Sequence, residues 1–170
     1  MASQRASIEA LFGNGDMPPA ETIVEHDGLA QHEKASAEWF YGNKSWPQVL
    51  KEIRTLRENG LRTGAYLEPW AVLTREALSY YLRAYLEYLV ETLASPEPDT
   101  EFMFDLFGAL GLSIIIHRSS PFSPEQTAFL VQMAQSSAAA VNDVARFDGE
   151  DAHIKWSIDD FLLQLRTQGS

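Results

Sequence analysis

Apolar positions recur at helical spacing along most of this chain, and no two segments alternate apolar and polar residues in a way that would pair as strands. The clearest start is Ser45, an N-cap residue followed by Pro47 in the first turn, where a missing N–H costs nothing. From there Trp46, Val49, Leu50, Ile53 and Leu56 make one apolar face, Lys51, Arg54 and Arg57 fill the other side, and Asn59-Gly60 marks the end. Thr74 opens the longest pattern, a helix over about 75–94. Leu78, Leu82, Tyr85, Leu89 and Leu93 form its stripe, and Tyr81, Leu86, Tyr88 and Val90 widen it. A helix apolar on most sides is the central one of a bundle.

Further elements flank these two. A short helix capped by Ser3 or Ser7 ends near Phe12, Met17-Pro18-Pro19 reads as linker, and a helix covers about 29–40 before Gly42-Asn43. Residues 61–72 lack a helical period and read as a connection packed down by Tyr66, Leu67 and Trp70. Asp99 or Thr100 caps a helix to Leu110, which Gly111 interrupts; Leu112–His117 reads as buried helix or extended core. Ser123-Pro124-Glu125-Gln126 combines an N-cap, a first-turn proline and a capping-box glutamine, opening a helix to about Val144. Ser157 caps a last helix to Arg166, with Ile158, Phe161, Leu162 and Leu165 inward. The expected fold is all-α: a single domain over residues 1–170, a bundle of six or seven helices around the 75–94 helix, with residues 1–20 peripheral.

Composition limits the chemistry. At 170 residues the chain can bury about 68–70% of its unfolded surface and needs no staple. With no cysteine there is no thiol nucleophile, disulfide or Cys-ligated metal. The ends and interior show neither an export signal nor the roughly 20 apolar residues of a membrane span, so the expectation is a cytoplasmic protein without a membrane partner. A net charge of −11 argues against nucleic acid, whose phosphates it would repel.

Catalytic patterns are absent. His26 and His32 are six apart, a spacing that does not bring two side chains to one helix face, and Gly28 intervenes, so no metal site is expected. His117 reads as a core-edge histidine, and His153 lies in an acidic loop. No nucleophile elbow, phosphate-binding glycine loop or dinucleotide fingerprint occurs. Adjacent carboxylates such as Asp159-Asp160 diverge by about 100° on a helix and make no acid–base pair by themselves. Tyr80, Tyr81, Tyr85 and Tyr88 either fill the core with bonded hydroxyls or line a pocket. No catalytic residue, metal ligand or cofactor is therefore assigned.

The charge distribution carries more information. Glu87, Glu91, Glu97, Asp99, Glu101 and Asp105 fall in a stretch without Lys or Arg, and a second acidic cluster runs from Asp143 to Asp160. Lys44 to Arg62 is basic. One explanation is helix ends, since acids in a first turn favour the helix dipole, and Asp99, Glu101, Asp159 and Asp160 would all stand there. The other is an acidic face that steers a basic protein. Its candidate contact residues are Glu97, Asp99, Glu101, Asp148, Glu150, Asp151, Asp159 and Asp160, with Trp156 as an aromatic anchor.

Two stretches also carry a resemblance. Thr74 to Leu86, T-R-E-A-L-S-Y-Y-L-R-A-Y-L, resembles the L-T-x-E-A-x-x-Y-Y-L-P-A-Y-L centre of a bacterial family of small proteins. His26-Asp27 with Trp39-Phe40 and Trp46, and Phe122 to Leu130, resemble its flanking segments in order over about residues 12–135. Arg83 stands where that family has Pro, and Gly28 where it often has Cys. The resemblance implies a fold and a bacterial origin, and no activity. Together these features lead to an expectation: a non-enzymatic, acidic protein-binding protein, an immunity protein that neutralises a cognate bacterial toxin such as a basic nuclease. The alternatives are a small-molecule binder or enzyme with a Tyr/His-lined pocket, or a homo-oligomeric scaffold; the sequence leaves the oligomeric state open.

Overall fold

The computed structural model describes residues 2–13, 15–24, 31–117, 121–144 and 151–167. Among these the protein is all-helical, as the periodicity predicts, and contains no strand beyond an isolated bridge between Val24 and Leu73. The helices are α1 (Ala2–Phe12), α2 (Gln31–Tyr41), α3 (Trp46–Glu58), α4 (Gly64–Leu67), α5 (Arg75–Leu93), α6 (Thr100–His117), α7 (Pro124–Val144) and α8 (Asp151–Thr167). Short 3-10 turns occupy Ala20–Thr22 and Glu68–Val72. The chain divides into two compact units, Met1–Tyr88 and Leu89–Ser170.

In the first unit the local signals act as their chemistry demands. The Ser45 N–H donates to the Gln48 side-chain oxygen at 2.7 Å, closing the start of α3. The helix ends in a Schellman turn: the Leu61 N–H reaches the Leu56 carbonyl at 2.9 Å and the Gly60 N–H the Arg57 carbonyl at 3.0 Å. Gly60 sits at φ 68, the left-handed region that a Cβ disfavours. Thr74 caps α5 through its hydroxyl, which accepts the Ala77 N–H at 3.3 Å and donates to the Thr22 carbonyl at 3.1 Å. The segment expected as an irregular connection, residues 61–72, instead coils into α4 and the 3-10 turn behind it, which packs on α2 with Leu67, Trp70, Val72 and Leu73 buried. Two successive short turns satisfy the backbone locally while leaving no room for a long apolar period. Ser3 and Ser7 lie inside α1 rather than capping it; the Ser7 hydroxyl donates back to the Ser3 carbonyl at 3.0 Å.

The second unit departs from expectation in two places. Gly111 does not interrupt α6, which runs unbroken to His117. Of the segment expected to be buried, Ile114 is inside, whereas Leu112, Ile115 and Ile116 are 50%, 49% and 38% exposed. The last helix starts at Asp151, not at Ile158, so Ser157 is no cap. Its buried hydroxyl donates across to the Phe104 carbonyl at 3.0 Å. The apolar spacing explains the longer helix, since Ile154 continues the Ile158–Phe161–Leu165 series backwards by one turn. Elsewhere the capping box at Ser123 forms as read: the Ser123 N–H donates to Gln126 at 2.9 Å, and the Gln126 N–H to the Ser123 hydroxyl at 3.2 Å.

Packing between α6 and α8 sets the arrangement of this unit. A Cβ on Gly108 would lie 3.7 Å from the Ser157 hydroxyl, and one on Gly111 3.5 Å from an Asp160 carboxylate oxygen and 3.7 Å from the Phe161 Cα. Moving up α6 from Phe104 to Gly111 therefore moves up α8 from Ser157 to Phe161, so the two helices run in the same direction. Parallel neighbours need a returning element between them, and α7, which packs on both, supplies it. Because a Cβ at Gly111 meets only ordinary contact distances, Gly111→Ala should stabilise the protein by about 1 kcal/mol through helix propensity. Gly111→Leu, whose branch has to enter the α8 backbone, should destabilise it. Urea unfolding followed by circular dichroism measures both.

Candidate functional site

The tyrosine-rich face of α5 resolves into a buried hydrogen-bond network within the first unit. The Tyr41 hydroxyl lies against three groups: the Tyr66 carbonyl, the Trp70 indole N–H at 2.7 Å and the Tyr85 hydroxyl at 2.7 Å. Donor chemistry assigns the protons. A carbonyl only accepts and an indole N–H only donates, so Tyr41 donates to Tyr66, accepts from Trp70, and leaves Tyr85 to donate into its second lone pair. Tyr81 donates to the Tyr41 carbonyl at 2.8 Å, and Tyr80 accepts the Trp46 N–H at 3.3 Å. The rings pack as closely: Trp70 meets Tyr85 edge-on with centroids 4.7 Å apart, and Tyr41 meets Tyr81 at 4.6 Å. Of the two readings of these tyrosines, the geometry of Tyr81 and Tyr85 matches core packing with bonded hydroxyls. The sequence hid the centre of this network, because Tyr41 lies 29 residues from Trp70 and 44 from Tyr85.

Near this network Arg83 stacks over the Trp46 ring at 4.0 Å, and Glu87 receives both Arg83, at 4.0 Å, and Arg5, at 3.5 Å. Arg83 thus links α5 to the start of α3 by ring contact, and Glu87 links α5 to α1 by charge.

The acidic candidates belong to the second unit. Asp148 and Glu150 lie outside the described residues, as do the side chains of Asp151 and Trp156, although the α8 backbone passes through those two positions. Glu97 is exposed. Asp99 is half-buried and caps α6: its carboxylate accepts the Phe102 N–H at 3.0 Å, and its own N–H donates to the Thr92 hydroxyl. Glu101 is half-buried in the first turn of α6. Asp159 is exposed and Asp160 half-buried, the latter beside Gly111 and accepting from Gln164 at 3.5 Å.

Parallel packing relates these groups. From the Ser157–Phe104 contact, α8 extends back six residues to Asp151, about 9 Å, and α6 extends back to Asp99 by about 8 Å. The N-termini of α6 and α8 therefore lie at the same end of the pair. Asp159 and Asp160 stand two turns further along, in the interior of α8. Their expected place in a first turn is corrected by the earlier start of the helix, and the dipole that compensates Asp99 and Glu101 does not reach them.

The histidine readings lie largely outside the described residues: His26 does, and so do the side chains of His32, His117 and His153. Among the described residues no group of three or more potential ligands could hold a metal ion, and no helix is long and apolar enough to cross a membrane. Comparison with protein families, with characterised proteins and with solved structures finds no match to this chain.

The network makes two predictions. Tyr41→Phe leaves a buried indole N–H, a carbonyl and a hydroxyl to find new partners and should destabilise the protein by about 3 kcal/mol; Tyr85→Phe removes one donor and should cost about 1 kcal/mol. Chemical unfolding of the two variants separates them. Burial also holds the hydroxyls of Tyr41 and Tyr85 well above their ordinary 10.0 and pushes that of Tyr81 up to about 12. Above pH 10 the unfolded chain loses these protons while the folded chain keeps them, so this stabilisation is complete below pH 10 and is lost as pH climbs through the folded values. Alkaline titration should show phenolate absorbance from the buried tyrosines appearing together with loss of helical signal.

Proposed function

We propose that this chain is an acidic protein-binding protein that covers a basic surface of its partner, and that it serves as a cytoplasmic immunity protein against a bacterial toxin. The observation that carries this reading is the parallel pairing of α6 and α8. It sets the N-termini of both helices at one end, with Asp99 and Glu101 there on α6, and Asp159 is exposed about two turns along α8. Leu112, Ile115 and Ile116, three and four residues apart, expose an apolar face at the C-terminal end of α6, roughly 20 Å from Asp99 and near the level of Asp160. Apolar and charged contacts together give protein interfaces affinity and selectivity. A nuclease suits the role of toxin, because holding phosphate requires the basic surface that such an acidic face would occupy.

Asp159 is the residue to reverse, since changing Asp99 would remove a helix cap and confound binding with stability. With a toxin encoded beside the gene as partner, Asp159→Lys should lower the association rate by about threefold and flatten its salt dependence, with the dissociation rate changed less. Stopped-flow binding over a range of salt measures this. Failure of the wild-type protein to rescue cells from that toxin, with no basic protein captured from lysate, would overturn the proposal.

A further inference from the structure

A groove of about 460 Å³ runs along α3 in the first unit. Its volume lies within the range of small-ligand sites, about 300–1,000 Å³. Gln48, Lys51 and Thr55 succeed one another at three- and four-residue steps along α3 with Glu52 beside them, Lys44 stands just before the helix, and Leu56 and the Tyr66 ring supply the apolar surface. We propose that this groove binds a small aromatic carboxylate carrying a single negative charge.

The polar groups of the lining are already partly committed, and what remains is selective. The Gln48 side-chain oxygen takes the Ser45 N–H at 2.7 Å and the Ser45 hydroxyl at 3.0 Å, so Gln48 offers a ligand its amide N–H donors. Glu52 is engaged within the wall, by the Lys44 ammonium at 3.0 Å and by the Tyr66 hydroxyl. Counting Lys44 and Lys51 against Glu52, the lining carries a net charge of +1. A surface rich in N–H donors with one surplus positive charge is complementary to one carboxylate. Thr55, whose hydroxyl donates to the Lys51 carbonyl at 3.0 Å, contributes acceptor lone pairs only.

The preference for an aromatic body rests on the rings beside the charge. The Lys44 ammonium lies 5.8 Å from the Trp39 ring centre and 6.0 Å from that of Tyr66, and Trp39 is 71% exposed. The Tyr66 ring, in the lining, offers planar surface against which a ligand ring can stack; Trp39 stands outside the lining, on the Lys44 ammonium, and reports on the site.

The test is a titration of the full chain with 2-naphthoate, followed by tryptophan fluorescence and by amide nuclear magnetic resonance shifts. Expected is saturable binding with a dissociation constant of about 0.1–1 mM, typical of a ligand this small, with shifts confined to α3, Trp39 and Tyr66. Lys51→Glu, at an exposed position, should weaken binding at least about tenfold while circular dichroism shows the fold retained, and Lys51→Arg should restore it. Equal binding of uncharged 2-naphthamide, equal binding of inorganic phosphate, indifference to Lys51→Glu, or no saturation by about 10 mM would each overturn the proposal. The experiment involves no protein partner, so its failure leaves the reading of the acidic α6–α8 surface untouched.

Discussion

One hydroxyl group holds the first unit together. The Tyr41 oxygen, at the last residue of α2, donates to α4 at Tyr66, accepts from the 3-10 turn at Trp70 and accepts from α5 at Tyr85. A buried phenol can make three hydrogen bonds, and here all three are made, each to a different segment. This explains how the segment between α3 and α5, too short and too irregular to bury an apolar stripe of its own, is still held in a defined conformation. Trp70 is drawn in by its N–H as much as by its ring. Burying so many polar aromatic groups is tolerable because each has a partner; the same groups without partners would disrupt the core.

The second unit depends on close approach instead. Gly108 and Gly111 leave α6 flat where α8 crosses it, and Ser157 is small enough to enter the contact while using its hydroxyl on the Phe104 carbonyl. Close parallel packing has an electrostatic consequence. Helices that run the same way present their N-termini, and the acids that favour those termini, at the same end. The shared N-terminal end of α6 and α8 thus follows from the return path through α7.

Charge is uneven along the chain. The basic stretch from Lys44 to Arg62 lies on and just beyond α3, and acidic stretches from Glu91 to Asp105 and from Asp143 to Asp160 fall in the second unit. The exposed chemistry differs accordingly: donor groups and rings along α3, carboxylates and an exposed aliphatic face on α6 and α8.

Whatever depended on neighbours in the chain was legible in the sequence. Ser45 with Gln48, Ser123 with Gln126, Asp99 before Phe102 and Gly60 after Asn59 all act within a few residues, so the starts of α3, α6 and α7 and the stop of α3 could be read directly. The all-helical class followed from apolar period alone. Ser157 and Gly111 depart from their local chemistry for one common reason. By local chemistry a serine before an apolar turn is a cap and a glycine is a break, yet each is placed where another helix comes within contact distance, and that helix decides its role. Only the tertiary structure could join Tyr41 to Trp70 and Tyr85, set α8 parallel to α6 and form a groove beside Tyr66, because hydrogen-bond partners and helix directions are settled by segments distant in the chain.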